Sequence, residues 1–198
     1  MNLNVIMQAS KETLLETGMH PPMLHIHYKF NQADSLVLGG LPGDFQDMHR
    51  VLFLLGRDWR EKRTGRDIEA LCFINEAYVA RRAIDNPRLH VRPKDDPDRC
   101  EALLFLVLDV VPAEPGEPKP TLKLSIHVVE QIRDGQGKIL DLIPDDEPHE
   151  TSTPSITPTH AFLAGWSSSR MSEERQREII ARAKRDTRKR RITEEWGQ

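Results

Sequence analysis

The sequence has few of the features that mark secreted or membrane proteins. It contains 2 cysteines in 198 residues, too few for the disulfide framework of a small secreted domain. Its longest apolar run, residues 102–111, is interrupted by Asp109 and is far shorter than the roughly 20 residues of a membrane-spanning helix. Residues 1–8 lack the basic start, apolar core and small-residue cleavage site of a secretory signal. These absences predict a cytoplasmic protein without a membrane segment.

The sequence also lacks the short motifs of common enzyme classes. It has no glycine-rich phosphate loop, no Gly-x-Ser-x-Gly elbow, no Cys-x-x-Cys pair and no His-Glu-x-x-His helix. The glycines between residues 39 and 43 are explained by a turn before a helix. A net charge of -3 and a pI near 6.2 give no general attraction to nucleic acid or anionic membranes. The sequence therefore favours a non-enzymatic protein without a cofactor, and any basic site must be local.

The N-terminal part shows alternating helical and strand periodicity. Residues 3–17 have apolar positions at helical spacing, and residues 23–30 alternate as a half-buried strand. The apolar face of that strand holds Leu24, Ile26, Tyr28 and Phe30. Residues 36–41 are predicted to pair back on it as a hairpin. Asp44 then caps a second amphipathic helix that ends near Gly65.

Three further strands complete the predicted core. Residues 68–80 and 99–111 are apolar on both faces and contain Cys72 and Cys100 as buried thiols, whereas residues 122–132 alternate and are half solvated. The resulting order is αββαβββ. It predicts an α+β domain over residues 1–141, with a mainly antiparallel sheet of about five strands and helices packed on one face.

The composition changes after Asp141. Residues 142–172 are rich in acidic residues, Pro, Ser and Thr, so they are predicted to form a disordered linker. This linker contains a short apolar stretch, residues 161–166. Ser172 is placed to cap a charged helix over residues 173–198, which favourably spaced Glu–Arg pairs support.

The apolar stretch in the linker is a candidate partner-binding site. Phe162, Leu163 and Trp166 would form an exposed apolar anchor for another protein. Docking of the same stretch onto the protein's own sheet explains it equally well. The sequence leaves both interpretations open.

Basic residues are concentrated in the predicted C-terminal helix. Several contacts to phosphates from this cluster would give salt-sensitive binding to nucleic acid. Acidic residues are interspersed and no aromatic side chain stacks among the cations, so a solvated helix is the alternative interpretation. The cluster consists of Arg182, Lys184, Arg185, Arg188, Lys189, Arg190 and Arg191.

Histidines on two predicted strands are candidates for a metal site. His25 and His27 alternate on one strand and point to the same side, and His127 on a later strand would supply a third imidazole for zinc. Such a site would indicate a metal-dependent hydrolase. However, Lys29 lies on the same face and the spacing places no carboxylate there. A solvated strand face therefore explains the pattern better.

Two carboxylates in otherwise apolar strands are candidates for acid–base chemistry. Glu76 lies where the third strand becomes polar, and Asp109 interrupts the fourth. For Glu76 the simpler interpretation is an ion pair with Arg81 or Arg82. For Asp109 it is a buried, hydrogen-bonded carboxylate.

Three segments resemble a group of uncharacterised bacterial proteins of unknown function. They are Thr17-Gly18-Met19-His20-Pro21-Pro22, the second helix with Leu55-Gly56, and Phe73-Ile74-Asn75-Glu76-Ala77-Tyr78. The resemblance covers roughly the first eighty residues. It implies a bacterial protein but no activity or functional residue.

The leading hypothesis is a non-catalytic binding or accessory protein. It would engage a protein partner through the C-terminal segment, or associate with itself through the half-exposed sheet. A nucleic-acid-associated protein using the basic helix is the alternative. A metal-dependent hydrolase using the strand histidines is a further one.

Overall fold

The computed structural model describes residues 1–79, 95–113, 120–150 and 157–168. Helices and strands alternate as predicted in the order αββαβββ, and further elements follow, so the fold is α+β. No helix in these ranges combines the length and apolar character needed to cross a membrane. The helices are α1 (Leu3–Thr17), α2 (Phe45–Lys62) and α3 (Pro158–Ser167). The strands are β1 (Met23–Tyr28), β2 (Gln32–Val37), β3 (Ile68–Val79), β4 (Cys100–Val111), β5 (Thr121–Arg133), β6 (Ile139–Pro144) and β7 (His149–Glu150).

The strands form one sheet of 7 strands in the order β2-β1-β3-β4-β5-β6, with β7 also pairing with β5. Every pairing is antiparallel. The two longest ladders join β3 to β4 and β4 to β5, which agrees with apolar residues on both faces of β3 and β4. The sheet contains the short strands β6 and β7 in addition to the five predicted strands.

The chain divides into two compact units. One consists of Met1–Gly40 with Gly65–Thr159, and the other of Leu41–Thr64 with His160–Gln198. In the first unit, α1 packs on the sheet, where Leu14 is fully buried among residues of β3, β4 and β5. These neighbours are Cys72, Ile74, Leu103, Phe105, Val107 and Val129. The Asn2 side chain caps α1, and Gly18 ends it with a φ of 77°, a conformation that glycine adopts without a steric penalty.

The hairpin β1–β2 turns earlier than predicted. The chain reverses over Lys29–Asn31, and β2 begins at Gln32. Phe30, predicted on the apolar face of β1, is 93% exposed. Its φ is 65°, and that of Asn31 is 58°, so both residues have the left-handed conformation of a turn. The alternation of β1 therefore holds only through Tyr28, where the chain leaves the strand for this turn.

The segment predicted as a linker contains regular structure. Asp141, the predicted end of the core domain, lies inside β6. The turn before β6 is held by Asp134 Oδ1, which accepts from the backbone N–H groups of Gln136 and Lys138, both at 2.9 Å. Residues 158–167 form α3. The predicted helix over residues 173–198 lies outside the described residues.

Candidate functional site

The histidines predicted to bind a metal lie on strands that are not neighbours. His25 and His27 are on β1 and His127 is on β5, with β3 and β4 between them. Strand spacings of about 4.8 Å put β1 and β5 about 14 Å apart, whereas zinc–nitrogen bonds are about 2.1 Å long. Across the described residues, no group of three His, Cys, Asp or Glu side chains could hold a metal ion. The structure thus does not bring together the ligands that the hydrolase hypothesis requires.

Each of these histidines has a local, half-buried environment. His25 Nδ1 lies 2.7 Å from Ser35 Oγ, and His127 Nε2 lies 3.3 Å from Ser125 Oγ. Burial lowers the pKa of His25, with a further effect of the neighbouring His27, and burial also lowers the pKa of His127. Neutral imidazoles on a partly wetted strand face are suited to hydrogen bonding.

Glu76 joins three parts of the first unit. Its carboxylate accepts from the backbone N–H of His20 and from Gln131 Nε2 at 3.2 Å. Arg133 Nη2 lies 3.5 Å from Glu76 Oε2, and the same nitrogen donates to Gln131 Oε1 at 2.7 Å. The network therefore ties the connection between α1 and β1 to β3 and β5, which is a structural role for this carboxylate.

Arg81 and Arg82, which were predicted to pair with Glu76, lie outside the described residues, so that pairing stays a prediction. Within the described part of the chain, Arg133 lies beside Glu76. Asp109 differs from its prediction, because its side chain is exposed and not buried. It lies opposite Lys123 of β5 in the sheet. An exposed carboxylate on a strand face needs no hydrogen-bonded pocket.

The second unit is built on a close crossing of α2 and α3. A Cβ atom added to Gly56 would overlap the carbonyl oxygen of Phe162, and one added to Gly165 would overlap that of Phe53. Glycine at both positions lets the two helix backbones meet without side chains between them. Sequence reasoning missed this crossing, although a glycine inside each apolar helical stretch was the available signal.

The predicted apolar anchor lies in this helix pair. Phe162 is fully buried and Trp166 is 7% exposed, while Leu163 is half-buried. Docking onto the protein's own sheet was one of the two interpretations left open by the sequence, but the contact observed for Phe162 is with Gly56 of helix α2. The prediction that these residues bind a partner remains a prediction.

Arg60 of α2 holds the end of α3. Its Nη1 donates to the carbonyl oxygens of Trp166 at 2.8 Å and Ser168 at 3.2 Å. The last carbonyl groups of a helix have no partners within the helix and carry partial negative charge, so a guanidinium stabilises them. Sequence reasoning also missed Arg60. It fixes the point from which residues 169–198 continue.

The basic cluster of residues 182–191 lies outside the described residues, so the structure gives it no geometry. Comparison of the chain with family models, characterised proteins and solved structures found no match.

Proposed function

We propose that this chain is a non-catalytic binding or accessory protein that engages a protein partner through its C-terminal segment. The observation that supports the proposal is that α3 is held in place, both by the hydrogen bonds of Arg60 and by the close crossing of α2 and α3 at Gly56 and Gly165. A segment that starts from a fixed helix end has a defined origin on the protein surface. This reduces the ordering entropy that partner binding must overcome.

The proposal divides the C-terminal segment by role. Phe162 and Trp166 are buried, so they hold the base of the segment. Contact with the partner is assigned to the half-buried Leu163 and to residues 169–198, in which basic residues outnumber acidic ones. The partner surface that suits this segment is acidic, because opposite charges steer association.

Truncation after Ser168 tests this proposal. The shortened chain, residues 1–168, keeps every described element and removes only the segment beyond α3. We expect partners cross-linked to the full chain in cells to be lost from the shortened chain, as measured by quantitative mass spectrometry. Circular dichroism must show that both chains fold alike. A recovered partner that binds both purified chains with equal affinity in calorimetry would refute the proposal.

A second candidate function is nucleic-acid association through the basic cluster. The observation that favours it is the concentration of arginine and lysine between residues 182 and 191. Replacing the four residues Arg188, Lys189, Arg190 and Arg191 with glutamine should weaken binding to a labelled oligonucleotide and reduce its salt dependence. Fluorescence anisotropy at several salt concentrations measures both effects. Binding that does not change with salt would exclude this candidate.

A further inference from the structure

Among the described residues, strand β2 has an open backbone edge. It ends the strand order and pairs only with β1 in the described chain. The N–H of Leu38 donates to Pro22 O at 2.7 Å, toward β1. Backbone groups of successive strand residues point to opposite edges, so those of Gln32, Asp34 and Leu36 also face β1. The outward backbone groups are therefore those of Ala33, Ser35 and Val37.

This edge has little protection against pairing. Ala33, Ser35 and Val37 are exposed, and Val37 is 63% exposed. Natural edge strands are usually blocked by lysine, proline or a bulge, but residues 32–37 contain none of these features. Their one charged residue, Asp34, is turned toward its own unit, where its Oδ2 accepts from Tyr28 Oη at 3.0 Å and lies 3.9 Å from Arg66 Nη1.

We propose that β2 is a self-association surface, on which β2 of a second copy of this chain pairs antiparallel about a two-fold axis at Ser35. In antiparallel pairing, a residue with outward backbone groups must face another such residue. An axis at Ser35 places Ser35 opposite its copy and Ala33 opposite the partner's Val37. Every outward N–H and C=O of both strands is then paired, and the two sheets become continuous.

Two other registers are less favourable. An axis at Asp34 would place the two Asp34 carboxylates opposite each other, and like charges at directly opposite positions are destabilising. An axis at Ala33 would leave the outward groups of Val37 without a partner strand. The register centred on Ser35 instead places Asp34 opposite the partner's Leu36. The inference is independent of the proposed C-terminal function, because no residue of that segment takes part.

Analytical ultracentrifugation of the full chain over a range of concentrations tests the surface. We expect a reversible monomer–dimer equilibrium that V37K weakens about tenfold, because the two-fold axis counts each lost cross-strand pair twice. V5K is the matched control, since Val5 is 61% exposed and belongs to helix α1 and not to the strand that pairs. V5K should leave the equilibrium unchanged, and circular dichroism verifies the fold of both variants.

A charge-pair variant tests the register. In A33E/V37K each new lysine faces a new glutamate across the axis, so the double variant should recover the dimer that V37K loses. Failure of this recovery would overturn the proposal, as would a wild-type chain that is monomeric at every concentration. A dimer unaffected by V37K would assign association to another surface. If the protein is monomeric and the amides of Ala33, Ser35 and Val37 are protected from hydrogen exchange, a segment of the same chain covers the edge and the proposal is wrong.

Discussion

Cys72 and Cys100 differ in how far their thiols are removed from water. Cys72 is fully buried in β3, whereas Cys100 is partly buried at the start of β4, with Sγ 3.6 Å from Val79 O. Burial raises the pKa of the Cys72 thiol to about 12, and the charge of Asp109 acts in the same direction. Since the thiolate is the reactive form, Cys72 is chemically inert in the folded protein.

Alkylation of the native protein should therefore modify Cys100 and spare Cys72. At about pH 8 roughly one Cys72 side chain in ten thousand is ionised, because each pH unit below the pKa lowers the ionised fraction tenfold. Peptide mapping after iodoacetamide treatment measures both sites, and C100S is the control that should show no native labelling. Equal labelling of the two cysteines before unfolding would contradict the prediction.

Two glycines make the crossing of α2 and α3 sensitive to a single methyl group. In G165A the new Cβ would overlap the backbone of Phe53, which cannot move aside as a flexible side chain would. We expect a loss of about 1–3 kcal/mol in the free energy of unfolding. Urea unfolding followed by tryptophan fluorescence measures it. G135A is the matched control, because nothing lies within 4 Å of an added Cβ there, and a comparable loss in that variant would argue against the crossing.

Local sequence patterns correctly predicted those elements whose bounds depend on residues close to them in the sequence. The bounds of α1 and the alternation of β1 through Tyr28 were predicted correctly, because capping and periodicity are local properties. The predicted start of β2 was wrong, because an apolar run after residue 35 outweighed a turn in which Phe30 and Asn31, neither of them glycine, take the left-handed conformation. Helix α3 was missed because its burial depends on Gly56, which is distant in sequence.

For the candidate sites too, features that depend on nearby residues were predicted, and features that depend on residues distant in sequence were not. The spacing of His25 and His27 correctly places them on one face of β1. Their distance from His127 depends on the strand order, which the sequence does not contain in readable form. Arg133 was not predicted as the partner of Glu76. The two residues lie on β5 and β3, and these strands come within side-chain reach of each other only when both pair with β4 in the folded sheet.

At the scale of the whole molecule, six histidines in the described part of the chain share one direction of pKa change. Burial is the largest cause for each, and it lowers the pKa below the ordinary value of 6.5. Near that pH the unfolded chain therefore binds more protons than the folded one. The histidines contribute stability at pH values above 6.5 that is lost as the pH falls. They are His20, His25, His27, His49, His127 and His160.

We therefore expect the free energy of unfolding to decrease as the pH is lowered from about 7.5 to about 5.5, a range in which histidines titrate and most carboxylates do not. Urea unfolding at constant ionic strength measures this dependence. H20Q should make it shallower, because burial is the main cause that lowers the pKa of His20, and the hydrogen bond with the backbone of Pro21 and the charge of Glu76 only partly oppose it. Stability that is constant or rises toward the acid end would contradict the assignment.

The second compact unit is discontinuous, and this has a consequence for synthesis on the ribosome. Its first part ends at Thr64 and its second begins at His160. At typical translation rates of about 5–20 residues per second, α2 emerges several seconds before α3. The nascent chain must therefore carry α2 without its partner helix until nearly all of the described chain has been made. A premature stop before residue 160 would release a product without α3, which chaperones and proteases would recognise by the exposed apolar side of α2.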